Sequence, residues 1–390
     1  MTPEELLQAL LDSREGPATD PIHNRGHPTR IRILRALREN GLPISTLAEQ
    51  MNVTRQTAYR ALDVSLEGGL VKQEDSEYVL SCSGAAVLRA YERIITQVDI
   101  DAFTRLTRSR HQRWILDSLR SAPARKATLA TKTPSENGPS RSTIHRIIDR
   151  FQKGGYVVET NGLHRVTATG LQLLETYEGF LTTVEQALDK QAFLRWLPAE
   201  FESFPIDALD GATTIRNSPK QPHDVLTAFV RVADPDLETL QAISTIVSPT
   251  LTEAYLPVLG GDTEVVAVFP DDVLFKLHQE PEFIEFVKQR DFQSYISEGR
   301  ATRDGELLFV PDSLALHLVI CDGSRVVLAP SPATGVTEVE AAAIDSTDPR
   351  IIEWASTFFE IYHTRGRPPL RTFLDRAQQA HPSTRRKAHD

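Results

Sequence analysis

The sequence predicts an α+β multidomain chain: a unit of three helices and a hairpin, present twice in tandem, followed by a separate α/β domain. Three observations carry this. The first half of the chain repeats itself, each copy carries the same order of helix and turn signals, and from about Phe204 the pattern changes to alternating strands and helices.

The repeat is direct. Thr54–Asp63 reads TRQTAYRALD and Ser140–Asp149 reads SRSTIHRIID, at an offset of 86. The same offset aligns Gly68-Gly69 with Gly154-Gly155, Val71 with Val157, Gly84 with Gly170 and Tyr91 with Tyr177. Upstream the offset is 82, aligning Ile33-Leu34 with Ile115-Leu116 and Leu47-Ala48 with Leu129-Ala130, so the second copy has four extra residues within Lys132–Pro139.

In the first copy the apolar stripe Ile33, Leu34, Leu37 places a helix over Ile31–Glu39, ended by Gly41 and Pro43. A short helix follows over Ser45–Gln50. Thr54, or Ser140 in the second copy, is the expected N-cap of a third helix that stops at the glycine pair. Strands are expected over Leu70–Gln73 and Tyr78–Ser81, and over Tyr156–Thr160 and His164–Thr167, with turns at Asp75-Ser76 and Asn161-Gly162. Helix, helix, helix, hairpin is the winged helix-turn-helix plan, so the expected fold is two tandem winged helix-turn-helix domains followed by an α/β sensor domain. The boundaries are 22–100 and 101–199 for the two copies with their trailing helices, 200–366 for the α/β domain, and 367–390 for a basic, disordered tail.

Charge points the same way. The chain carries a net −10, but residues 105–170 hold 13 Lys and Arg against 4 Asp and Glu, while 200–370 hold 12 against 28 and 21–80 hold 8 against 7. A local basic surface attracts phosphate whatever the whole-chain sum. The expected partner is therefore double-stranded DNA, with the second copy the main reader. The candidate contacts are Thr54, Arg55, Gln56, Thr57, Tyr59 and Arg60 in the first copy, and Ser140, Arg141, Ser142, Thr143, His145 and Arg146 in the second. His164 and Arg165 are added from its wing, with Lys72 and Gln73 weighed in the other wing. After each wing a long helix begins at a glycine, Gly84 or Gly170. Leu174, Leu181 and Leu188, with Tyr177 and Val184 between them, form a possible coiled-coil seam and predict a homodimer.

In the last domain the sequence predicts a helix around Pro249–Val258, a strand over Glu264–Phe269, and a helix opened by Pro270-Asp271-Asp272. Further on it predicts a helix over Glu282–Gln289, strands over Leu314–Cys321 and Arg325–Ala329 joined by Asp322-Gly323, a strand over Thr337–Ile344, and a last helix from Asp348-Pro349 to His363. No catalytic group, cofactor or metal site is expected; His23 and His27 read as loop residues beside Gly26 and Pro28. Cys82 and Cys321 read as buried and unpaired, and no apolar run is long enough for a membrane span, which fits a cytoplasmic protein.

From about 105 to 366 the chain resembles archaeal winged helix-turn-helix transcriptional regulators carrying the middle domain named after the methanogenesis regulatory protein. The matching stretches include SRSTIHRIIDRFQKGGYV at Ser140–Val157, FLRWLP at Phe193–Pro198, VVAVFPDDVLFKL at Val265–Leu277 and DSTDPRIIEWASTFFEIY at Asp345–Tyr362. The resemblance implies gene regulation, with a small-molecule or protein effector bound by the α/β domain; the first winged unit looks like an additional copy. That domain also looks like the phospholipase-D-like fold of TrmB sugar-sensing regulators. Setting the fold's catalytic Asp on Asp322 puts Ala315 at the place of the nucleophilic His and His317 at that of the Lys, which implies a chemically dead site. A phosphodiesterase-like enzyme and an adaptor docking on transcription machinery are the competing readings.

Overall fold

The computed structural model describes residues 1–12, 28–131, 138–246, 248–273 and 305–368. His23 and His27, most of the four-residue insertion, the helix expected over Glu282–Gln289, the part beyond Val273 of the helix expected after Pro270-Asp271-Asp272, and all but the first two residues of the 367–390 tail lie outside them. The chain divides into two compact units, Met1–Gln191 and Ala192–Asp390.

The first unit contains both repeats. Helix α1 (Pro3–Leu10) is capped by Thr2 in a reciprocal capping box with Glu5. The first copy follows as α2 (Thr29–Ala36), β1 (Leu42–Pro43), α3 (Ile44–Met51), α4 (Arg55–Glu67), β2 (Val71–Glu74), β3 (Glu77–Leu80) and α5 (Cys82–Gln97). A linking helix α6 (Ile100–Thr107) leads to the second copy: α7 (Arg110–Ser121), α8 (Lys126–Thr131), α9 (Arg141–Lys153), β4 (Val157–Thr160), β5 (Leu163–Val166) and α10 (Ala168–Asp189). Helix α2 ends three residues before the expected Glu39.

The two copies agree in detail at the offsets read from the sequence. The third helices α4 and α9 both have 13 residues. Pairing of Leu42 with Tyr78 in the first copy recurs as the bridge Ala124–His164 in the second. Both hairpins turn through left-handed residues, Asp75 at φ 50° and Asn161 at φ 54°. Ser81 and Thr167 cap α5 and α10, and each hydroxyl also donates back to a glycine carbonyl, Gly69 at 2.6 Å and Gly155 at 2.7 Å.

The coiled-coil seam is placed differently from expectation. Buried on α10 are Leu173, Leu174, Tyr177, Phe180, Val184 and Ala187, while Leu181 and Leu188 are only half-buried. The stripe at 173, 177, 180, 184 and 187 has the alternating four-three spacing of a helical seam, one position off the leucine ladder. It packs on α5, α1, α6 and α7 of the same chain, with the Phe103 ring 5.9 Å from Phe180 and 6.4 Å from Tyr177. The leucine ladder therefore gives no argument for a second chain.

The second unit opens with the short helix α11, whose range Gln191–Leu194 straddles the division, and buries Phe193, Leu194 and Leu197. Its elements are β6 (Thr213–Arg216), α12 (Asp224–Arg231), β7 (Thr239–Ile243), α13 (Pro249–Leu259), β8 (Glu264–Pro270), β9 (Glu306–Val310), β10 (Leu316–Cys321), β11 (Arg325–Pro330), β12 (Ala342–Ser346) and α14 (Pro349–His363). The strands form one sheet in the order β6-β12-β11-β10-β7-β8-β9, parallel at β7-β8-β9 and antiparallel elsewhere. Val319 and Cys321 of β10 pack in a core with Phe229 of α12 and Val258 of α13. Alternate residues Leu318 and Ile320 are buried too, and α14 covers β10 and β11, so the strand reads as an apolar run from Leu318 to Cys321. The strand expected over Thr337–Ile344 starts only at Ala342, because Glu338–Glu340 form a 3-10 turn that follows Thr337. Among the described helices and strands, α1, β1, α6, α11, β6, α12, β7 and β9 are not among those the sequence predicts.

Candidate nucleic-acid interface

The third helices present the expected faces. Thr54 accepts the Thr57 amide and Ser140 accepts the Thr143 amide, both at 3.2 Å, and the side-chain hydroxyls cluster, Ser140 with Ser142 at 2.9 Å and with Thr143 at 3.0 Å. Ala58, Ala61, Leu62 and Ser65 are buried on α4; Ile144, Ile147, Ile148 and Phe151 are buried on α9. On the opposite faces Thr54, Arg55, Gln56, Tyr59 and Arg60 are exposed, as are Ser140, Arg141, Ser142, His145 and Arg146; Thr57 and Thr143 are half-buried.

The two faces differ further along. Exposed Arg150 and Lys153 continue the basic face of α9, where α4 has Val64 and Glu67. Lys126, at the start of α8, holds Asp149 at 2.5 Å, and this hydrogen bond lowers the Asp149 pKa, so the one acid on that face is an ionised carboxylate paired with a lysine.

The wings diverge more. Arg165 is exposed opposite Val158 on β4. Its neighbour His164 is not a surface group: it is 3% exposed, points inward where the first copy buries Tyr78, and lies 3.4 Å from Glu159. Alternation along a strand puts 163 and 165 outside and 164 inside, so His164 leaves the reading set. Lys72 is likewise buried and paired with Glu74 at 2.5 Å. Arg125 was missed: it is exposed beside the second wing's turn, its guanidinium 3.2 Å from the place a Gly162 Cβ would take. The first wing's tip instead exposes Glu74, Asp75 and Glu77.

In the second unit, Asp322 sits in the β10–β11 turn at φ 48°, where its carboxylate accepts the amides of Glu238 at 3.0 Å and Thr239 at 2.9 Å. That role ties β7 to the hairpin. His317 lies within β10, 8% exposed, its Nδ1 accepting the Thr245 amide at 3.1 Å. Burial lowers its pKa to about 4. The sign follows from linkage: the folded state disfavours the proton, so this stabilisation is complete above the unfolded value of 6.5 and is lost as pH falls toward 4. The loss is about 3 kcal/mol. In thermal melts between pH 4 and 7, His317→Gln should show a weaker acid slope than the wild type; equal slopes would refute the assignment.

Among the described residues no three His, Cys, Asp or Glu converge as a metal site, and no helix is long and apolar enough to cross a membrane.

Residues 25–102 and 100–189 each match the HVO_A0261 N-terminal domain, and residues 219–365 match the middle domain of the methanogenesis regulatory protein FilR1. The first match falls on both repeats and the second on the sheet unit. No curated protein matches the chain. Among solved structures, TrmBL2, an archaeal chromatin protein with a novel mode of DNA binding, is 12% identical over 66% of this chain and 92% of its own, with a TM-score of 0.31. NucT from Helicobacter pylori is 12% identical over 40% of this chain and 96% of its own, at a TM-score of 0.29. Nuc from Salmonella typhimurium, a phospholipase D family member, is 12% identical over 40% and 97%, at 0.28. Scores this low carry no weight for fold or function.

Proposed function

We propose that this chain is a DNA-binding transcriptional regulator: two winged helix-turn-helix units read duplex DNA, mainly through the second, and the α/β unit binds an effector without turning it over. The observation that carries this reading is the face of α9, where Arg141, His145, Arg146, Arg150 and Lys153 are exposed, with Arg165 exposed on the second hairpin and Arg125 at its turn. A helix start with free amides and short hydroxyls accepts phosphate, and guanidinium groups fork onto guanine in the major groove. The match of residues 219–365 to a regulatory protein's middle domain supports the regulatory part. Asp322 is engaged by backbone amides and position 315 is an alanine, which favours binding over hydrolysis.

Titration of a fluorescent duplex at stepped salt tests the reading. Affinity should fall steeply, by a logarithmic slope of about 0.9 for each phosphate neutralised. Absent or salt-independent binding would sink it. Effector control predicts that some compound in a metabolite screen raises the melting temperature of the second unit and changes duplex affinity by a coupling of about 1–3 kcal/mol. A screen in which every stabilising compound leaves duplex affinity unchanged would remove it.

A further inference from the structure

The two repeats are built into one body. Helices α5 and α10, which trail the two wings, pack against each other, and α6 and α1 complete the shared core. Leu6, Leu7, Leu10 and Leu11 are all buried, and the N-terminal segment is tied to both copies. Arg30 donates to the Ala9 carbonyl at 2.9 Å from the first copy. Arg108, just before the second, donates to Leu11 at 3.2 Å, and Arg113 of α7 lies 3.7 Å from Glu4. At the far end Gln191, beyond α10, donates to the Glu67 carbonyl at the end of α4 at 2.8 Å, its side chain lying where a Gly69 Cβ would be.

This is the job a dimer seam does between chains, done within one. The readers it joins are unequal. One offers Arg141, Ser142, His145 and Arg146 with a wing carrying Arg165. The other offers Arg55, Gln56, Tyr59 and Arg60 with a wing ending in Glu74, Asp75 and Glu77. Paired identical readers impose a palindrome on their site because protein symmetry is mirrored in the operator. Two fused, different readers impose none, and an acidic wing tip repels the backbone it would otherwise grip.

We propose that one chain is the complete reading unit and that it binds a non-palindromic duplex one to one, through both third helices but only the second wing. This rests on the DNA-binding reading above. The test is selection from a random duplex library with the full-length protein, followed by native mass spectrometry of the selected complex. The expected result is an asymmetric motif and one chain per duplex. Gln56→Ala with Tyr59→Ala should relax one flank of the motif and leave the other intact. A palindromic motif bound by two chains overturns the proposal while leaving DNA binding in place. A flank that ignores the double variant overturns the two-reader part. Recovery of no duplex at all overturns the DNA-binding reading, and this one with it.

Discussion

Replacing Arg141 and Arg146 by alanine should weaken duplex binding by about 1–3 kcal/mol for each guanidinium that reaches a base, or roughly ten- to a hundredfold per residue. Both side chains are exposed on α9 opposite the buried stripe of Ile144, Ile147, Ile148 and Phe151, so their removal leaves the core untouched. The matched pair in the first copy, Arg55 and Arg60, occupies the same places on a helix of the same length. Its surroundings differ: Glu67 stands where α9 has Lys153, and the neighbouring wing tip is acidic. Arg55→Ala with Arg60→Ala should therefore cost less than the α9 pair. Electrophoretic mobility shift of both double variants on one duplex, with circular dichroism as the folding control, gives the comparison. Equal losses would show that the local charge excess of the second copy does not set the affinity.

How far the chain could be read from its sequence depended on what each signal encoded. The repeat carried its own control: a cap, a glycine pair and a turn were each seen twice, and α4, α9 and both hairpins fall within a residue or so of expectation. In the second unit the Asp322-Gly323 turn and the Asp348-Pro349 cap located β10, β11 and α14 for the same reason, since each is a local constraint on φ. Elements without such punctuation were missed. Helix α12 has eight residues and β6 four, too short for a period to stand out. The α10 stripe failed differently. Leucine spacing marked a seam, but the true one uses Phe180 and Ala187, which a search for leucine passes over. His164 failed because a one-residue shift of a strand exchanges inside for outside. Arg125 is close to the wing turn only in three dimensions, so no motif announces it.

The largest stability effect should come from Gly170 and Gly84, where the trailing helices leave the wings. A Cβ on Gly170 would stand 2.2 Å from the Tyr156 carbonyl oxygen and 2.7 Å from a Val166 methyl; on Gly84 it would stand 2.1 Å from the Leu70 oxygen and 2.7 Å from a Leu80 methyl. Neither oxygen is free to retreat. Tyr156 accepts the Thr167 amide and Leu70 accepts the Ser81 amide, both at 3.0 Å, and these bonds close the hairpin onto the helix start. Each glycine amide is in turn the donor to its cap hydroxyl at 3.1 Å. A methyl group must therefore push the helix off the hairpin, breaking the cap and opening the buried stripe behind it. We expect Gly170→Ala to cost about 3 kcal/mol, at the upper end of what overpacking does. Gly179, on the same helix, is the control: it is exposed, and a Cβ there meets nothing within 4 Å. Gly179→Ala should stabilise by about 0.5–1 kcal/mol, because alanine loses less backbone entropy in a helix. Urea unfolding of the full chain followed by circular dichroism reads both changes. Gly170→Ala at wild-type stability would mean that the helix and hairpin do not approach this closely in solution.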